Sequence, residues 1–131
     1  MPKQPVDIVR NFCDSWAEGD LDAIMAFFTD DAVYHNIPIA SVEGKDAIRA
    51  AIEGFIGGVD KLEFRVDNIV AAGDVVLTER VDIFSIPGTT IDLPVMGAFE
   101  LRDGKIAAWR DYFDMNQFMS QMPGASGGSD N

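Results

Sequence analysis

Residues Thr78 to Phe84, Thr-Glu-Arg-Val-Asp-Ile-Phe, place a guanidinium and a carboxylate two positions apart in a run rich in β-branched and aromatic side chains. Such a run reads as a strand. Alternation puts Arg80 and Asp82 on one face between Thr78 and Phe84, with Glu79, Val81 and Ile83 on the other. On a solvated face this is an ordinary surface ion pair contributing roughly 0–1 kcal/mol. Facing a cavity, it is the start of an active site. A second carboxylate stands near the end of the chain, where Trp109, Asp111 and Phe113 share a strand face. If those aromatics are buried, Asp111 faces low dielectric; exposed on the convex side, the same trio is an unremarkable edge pattern.

Register decides whether Asp111 can meet Arg80. A two-residue turn at Asp103-Gly104 pairs Arg102 with Lys105, and hence Met96 with Asp111 and Ala98 with Trp109. A three-residue loop at Pro87-Gly88 would pair Ile86 with Thr90 and put Arg80 opposite Met96. Arg80, Met96 and Asp111 then form one row, with the outer strands roughly 10 Å apart. A two-residue loop without a bulge would put Arg80 on the wrong face, so the reading depends on this parity. If it holds, Asp82, Arg80 and Asp111 form an Asp–Arg–Asp bridge, since a planar guanidinium can hold two carboxylates at once. Two carboxylates and one cation leave a net negative charge, which burial penalises and one proton relieves. One aspartate is then an acid and the other a base. Tyr34 and Asn36, sharing a face of a short strand, are a donor–acceptor pair suited to fixing a water beside the base. The only histidine, His35, points to the opposite face of that strand.

These groups need elements to position them. Val9, Phe12, Cys13 and Trp16 fall at helical spacing in a first helix from about Val6, which Gly19 ends. Asp20 is a natural N-cap for a second helix carrying Leu21, Ile24, Met25 and Phe28. Ala32 to Ile37 reads as a short strand ended by Pro38. A third helix follows Gly44-Lys45-Asp46, with Ile48, Ile52 and Phe55 on its inner side, and Gly57-Gly58 stops it. Strands follow: one carrying Leu62, Phe64 and Val66, then Val75–Ile86, Thr90–Leu101 and Ile106–Asp114. Helices first and strands after predict an α+β fold, helices covering one face of a curved antiparallel sheet with a pocket between.

With 131 residues the chain is one domain, expected over 1–120, with a Gly/Ser-rich tail over 121–131 that has nothing to bury and reads as disordered. A lone cysteine, Cys13, excludes an internal disulfide and a cysteine-based metal site. The net charge of −12 disfavours nucleic acid and anionic membrane. Neither an apolar leader nor an 18-residue apolar run is present, which predicts a soluble, cytoplasmic protein.

Taken together, Tyr34-x-Asn36, Arg80-x-Asp82 and Trp109-Arg110-Asp111-Tyr112-Phe113, at their separations, resemble limonene-1,2-epoxide hydrolase and its relatives. The resemblance spans the chain apart from the tail; each block alone is weak and the three together are specific. It implies a nuclear-transport-factor-2-like cone of curved mixed sheet with N-terminal helices over its concave face, a homodimer, and one-step addition of water to an epoxide without cofactor or metal. It implies Asp111 as general base, Tyr34 and Asn36 as water holders, Asp82 as general acid and Arg80 as the bridge. Trp109, Phe113, Met96 and Phe84 are the expected substrate-pocket residues, and a small apolar epoxide and water the expected partners. The portion before Tyr34 is shorter than in the family, which bears on pocket closure and substrate size. Two rivals stand beside this reading. In a ketosteroid-isomerase-like enzyme an isolated neutral acid would be needed, and Arg80 works against one. A non-catalytic ligand-binding module of the same fold has no need of a bridged Asp–Arg–Asp beside Tyr and Asn.

Overall fold

The computed structural model describes residues 4–122. Helix α1 (Pro5–Ser15) is followed by a single 3-10 turn (Trp16–Glu18), which Gly19 closes in the left-handed conformation at φ 67°. Asp20 caps α2 (Leu21–Met25), its carboxylate accepting from the Ala23 N–H at 3.2 Å. Strand β1 (Phe28–Asn36) and a short β2 (Ala40–Glu43) lead to α3 (Lys45–Ile56). Strands β3 (Lys61–Ala72), β4 (Val75–Ile86), β5 (Thr89–Arg102) and β6 (Lys105–Tyr112) then run as a meander, and α4 (Met115–Met119) follows.

The six strands of the described residues form one mixed sheet in the order β2-β1-β6-β5-β4-β3, and among them only the β1–β6 pair is parallel. That pair joins the beginning of the chain to its end. Phe28 opens β1, where spacing alone extends α2, because the helix stops after barely more than one turn. Strand β2 has no signal in the sequence: its Ala-Ser-Val-Glu has one half-buried position and no clear alternation.

The core lies between the inner sheet face and the helices, and Phe12 is its hub. Its ring meets those of Trp16, Phe27, Phe28, Phe99 and Trp109 at 5.0–5.9 Å between centroids, all edge to face. Such pairs add roughly 0.5–1.5 kcal/mol each beyond burial. A second apolar cluster of Phe84, Ile91, Leu93 and Val95 sits toward the far ends of β4 and β5, with Phe113, Phe118 and Met122 packed on it.

Helix α4 stands where the sequence reading carries the last strand on to Asp114. Asp114 instead turns the chain, its Oδ1 accepting from the Asn116 and Gln117 N–H groups at 2.8 and 3.3 Å. Past the end of β6, the free edge of β5 at Asp92 is met by the Gln121 amide. Its Oε1 accepts from the Asp92 N–H at 3.0 Å and its Nε2 donates to the Asp92 carbonyl at 2.9 Å. Gln121 and Met122, placed in the tail by the sequence reading, thus pack against the fold, and the rest of that tail lies outside the described residues. No described helix is long and apolar enough to cross a membrane.

Candidate active site

β4 and β6 carry the charged groups, and β5 runs between them. Both connecting hairpins differ by one residue from the sequence reading, and the differences cancel. At Pro87-Gly88 the connection has two residues, with Gly88 at φ 96°, so Ile86 pairs with Thr89 and Arg80 with Val95. At Asp103-Gly104 the pairing of Arg102 with Lys105 is as read, but a bulge then shifts the ladder so that Glu100 meets Ala108. Asp111 consequently faces Gly97, which faces Thr78. Arg80 and Asp111 end on the same inner face. Met96 does not: it pairs with Glu79 and Tyr112 on the outer face and is 49% exposed, so it is corrected from pocket residue to outer surface.

The Arg80 side chain is buried, and every one of its five N–H groups is used. Nε and Nη2 donate to Asp82 Oδ1 and Oδ2 at 2.9 Å each. Nη2 donates again to Asp111 Oδ2 at 2.9 Å, and Nη1 to Asp111 Oδ1 at 3.2 Å. The last N–H, on Nη1, goes to Thr78 Oγ1 at 3.3 Å. The guanidinium carbon lies 4.8 Å from the Phe64 ring centroid, which adds an apolar, π-rich floor. Burial opposes the charge on Arg80, but the Asp111 and Asp82 carboxylates hold its pKa well above the ordinary value.

The two aspartates differ in their partners. Asp111 accepts from two Arg80 nitrogens and from the Trp109 indole, whose Nε1–H reaches Oδ1 at 2.6 Å. Among the described residues Asp82 accepts from Arg80 alone. Burial pushes the Asp82 carboxyl up to about 6, against the pull of Arg80 and with a further push from the Asp111 charge. Asp82 thus holds a proton more readily than an ordinary aspartate, while Asp111 keeps Oδ2 less occupied than Oδ1.

The parallel β1–β6 pair brings Asn36 beside Asp111 and Tyr34 beside Trp109. Tyr34 stacks on Trp109 with ring centroids 4.1 Å apart, and its hydroxyl donates to Asn36 Oδ1 at 3.2 Å. Burial, then the Asp111 charge, raises the Tyr34 phenol above its usual range, so it stays a neutral O–H. His35 points away, next to Arg110.

These groups open on a cavity of about 130 Å³. Asp82, Asp111, Tyr34 and Asn36 are its polar groups, and Phe84 and Phe113 form part of its wall. Trp109 does not reach the cavity; it is fully buried beneath Asp111 between Tyr34 and Phe99, a support rather than a wall. Leu93, Val95, Phe55, Phe64 and Phe118 complete most of the apolar lining. Phe118 could have been suspected from Asp114, an N-cap residue just past the last alternating strand position. Leu93 and Val95 lie on the inner face of β5 and were hidden by the one-residue error in register. Cys13 lies buried in the core among the aromatic rings, and burial pushes its thiol up to about 12, which leaves it chemically inert.

The chain is similar to known proteins along most of its length. Over 107 residues the chain is 35% identical to the epoxide hydrolase EphG of Mycobacterium tuberculosis (strain ATCC 25618 / H37Rv), covering 82% of this chain and 71% of that protein. The structure of an M. tuberculosis LEH-like epoxide hydrolase superposes with a TM-score of 0.82 at 30% identity, over 95% of this chain and 93% of that one. A protein of ketosteroid-isomerase-like fold from Catenulispora acidiphila DSM 44928 superposes with a TM-score of 0.80 at 21% identity, over 87% and 90% of the two chains. That last likeness is one of fold, the nuclear-transport-factor-2-like class. The family model for the limonene-1,2-epoxide hydrolase catalytic domain matches residues 3–124, and the chain belongs to that family.

Proposed function

We propose that the chain hydrolyses a small apolar epoxide to a vicinal diol in one step, with Asp111 as base, Asp82 as acid and no cofactor. The observation that carries this reading is the Asp82–Arg80–Asp111 cluster at the wall of an otherwise apolar cavity, with Tyr34 and Asn36 beside it. A water fits against Asp111 Oδ2, the oxygen with a lone pair to spare, with the Asn36 amide donating to it and the Tyr34 oxygen accepting from it. Asp111 takes one proton as the water oxygen attacks an epoxide carbon. The carbon–oxygen bond breaks, and the departing oxygen takes the proton of Asp82. Arg80 keeps both carboxylates fixed while the single proton changes sides, so little reorganises during the step. No leaving group departs: the diol keeps the water's oxygen and one of its protons together with the proton from Asp82, and the proton left on Asp111 returns to Asp82 before the next turnover.

The cavity walls select for neutral substrates. All five Arg80 N–H groups are occupied, so none remains to bind a substrate carboxylate. The outer sheet face, where Leu77, Met96 and Tyr112 are exposed at neighbouring positions on three strands, is the surface a second copy would cover in a homodimer. Met96→Glu places a charge at its centre. Sedimentation should then show a monomer where the wild type is a dimer; a wild-type monomer would overturn the assignment.

Three measurements test the chemistry. Asp111→Asn keeps the shape and removes the base, and general acid–base groups contribute roughly 100- to 10,000-fold. A loss of that size is expected with an unchanged circular dichroism spectrum, and retained turnover sinks the role of Asp111. The source of the new oxygen separates direct attack from an ester route. With excess enzyme in heavy-oxygen water, the first diol formed should carry the label. Unlabelled diol, with label on either aspartate, would mean a covalent intermediate. The pH profile reports Asp82: its proton is lost as pH rises through about 6, and the acid form goes with it. The value of kcat/KM should therefore fall about tenfold per pH unit on the alkaline side of that point. A profile flat to pH 9 removes Asp82 as the acid.

A further inference from the structure

We propose that Gly97 and Thr78 form the seat of the Arg80 guanidinium and so set the spacing between the two aspartates. Gly97 acts by having no side chain, and Thr78 by taking the fifth N–H. The proposal rests on the catalytic reading above and assigns both as positioning residues for it.

Arg80 starts on β4 and must reach Asp111 on β6 across the strand between. The residue in the middle of the inner-face row from Thr78 to Asp111 is Gly97. A Cβ there would lie 2.5 Å from Arg80 Nη1, 2.8 Å from Thr78 Oγ1 and 2.9 Å from Asp111 Oδ1. Contacts that short are not found for real Cβ atoms, so something would have to move. Side-chain ends often move cheaply, but these three are interlocked. The guanidinium is held by four hydrogen bonds to two carboxylates, and Asp111 is held from behind by the Trp109 indole. Thr78 is buried at the end of the row and receives the last guanidinium N–H.

The backbone at Gly97 gives no other reason for glycine. It lies within a continuous antiparallel ladder and is not among the positive-φ glycines, so an L side chain suits its conformation. Glycine inside a strand weakens it and marks a place where something else approaches closely. Here that is the guanidinium. Neither Gly97 nor Thr78 lines the cavity. Their effect should fall on the chemical step and leave substrate binding alone.

The test compares Gly97→Ala, Thr78→Val and the double variant Gly97→Ala/Thr78→Ala in the full chain. Turnover is measured on cyclohexene oxide, and the Arg80 guanidinium N–H signals are followed by nitrogen-15 NMR. A reacting group displaced by about 1 Å can cost on the order of 100-fold. Gly97→Ala should lower kcat by about that much with KM within roughly threefold, and should shift or broaden the Arg80 signals. Removing the Thr78 side chain as well opens room for the guanidinium, so the double variant should recover part of the loss. Such compensation is the coupling expected of groups in direct contact, and the Arg80 signals tie it to the guanidinium and not to packing at large. Thr78→Val adds no bulk at Gly97 and should expose one Nη1–H to faster exchange, which decides the matter even where Gly97→Ala does not fold. Wild-type kcat and wild-type Arg80 signals in Gly97→Ala, or unchanged Nη1–H exchange in Thr78→Val, overturn the seat. A wild type that turns over no epoxide fails the catalytic reading alone, since the NMR signals judge the seat without turnover.

Discussion

A cation with no access to water has to find every one of its donors a partner, and Arg80 does so with two carboxylates and one hydroxyl. Moving an ion out of water costs several kcal/mol even after relaxation, and loss of one partner of a buried pair costs about 3–5 kcal/mol. The surrounding structure can be understood from that constraint. Two strands must present aspartates at the right heights, the strand between must leave a gap, and the rings of Phe64 and Trp109 must keep water away from the back of the cluster. The aromatic hub around Phe12 holds α1 against this region, and so supports the dry side of the site.

The same constraint distinguishes the surroundings of the two aspartates. Symmetric carboxylates around one guanidinium would share a proton equally. Here the Trp109 indole adds a third donor to Asp111, and among the described residues Asp82 has none in addition to Arg80. Burial, with fewer donors to offset it, raises the Asp82 carboxyl. Trp109 therefore acts through Asp111, from beneath it.

Much of this site is legible in the order of residue types. Arg80-x-Asp82 and Tyr34-x-Asn36 share strand faces by simple alternation, and both pairs point inward as alternation requires. The helical stripe from Val9 to Trp16 and the Asp20 cap are equally local, and the structure has them. What cannot be read is parity across a hairpin. A two-residue turn at Pro87-Gly88 and a bulge near Ala107 each move the ladder by one residue. Together they restore the face on which Asp111 lies but exchange Met96 for Gly97 in the middle of the row. A bulge has no sequence signal here, because Ile106-Ala107-Ala108 tolerates either pairing. Short elements are the other loss. Helix α4 depends on an edge of β5 left open by the end of β6, which is a fact about the neighbouring strand and not about Met115–Met119 itself.

The single parallel pairing, β1 with β6, has a consequence for how the site comes into being. Strands β4, β5 and β6 are joined by tight turns, so the guanidinium and its carboxylates meet through contacts of modest sequence separation. Tyr34 and Asn36 reach Asp111 only when a strand more than seventy positions earlier docks along β6. Closing so long a loop costs more entropy and comes late in assembly. The ion cluster can thus be built before Tyr34 and Asn36 arrive, and a chain caught between those stages carries the charges without that pair beside Asp111. The two halves of the machinery are separable in time, and β1 is the part whose arrival completes it.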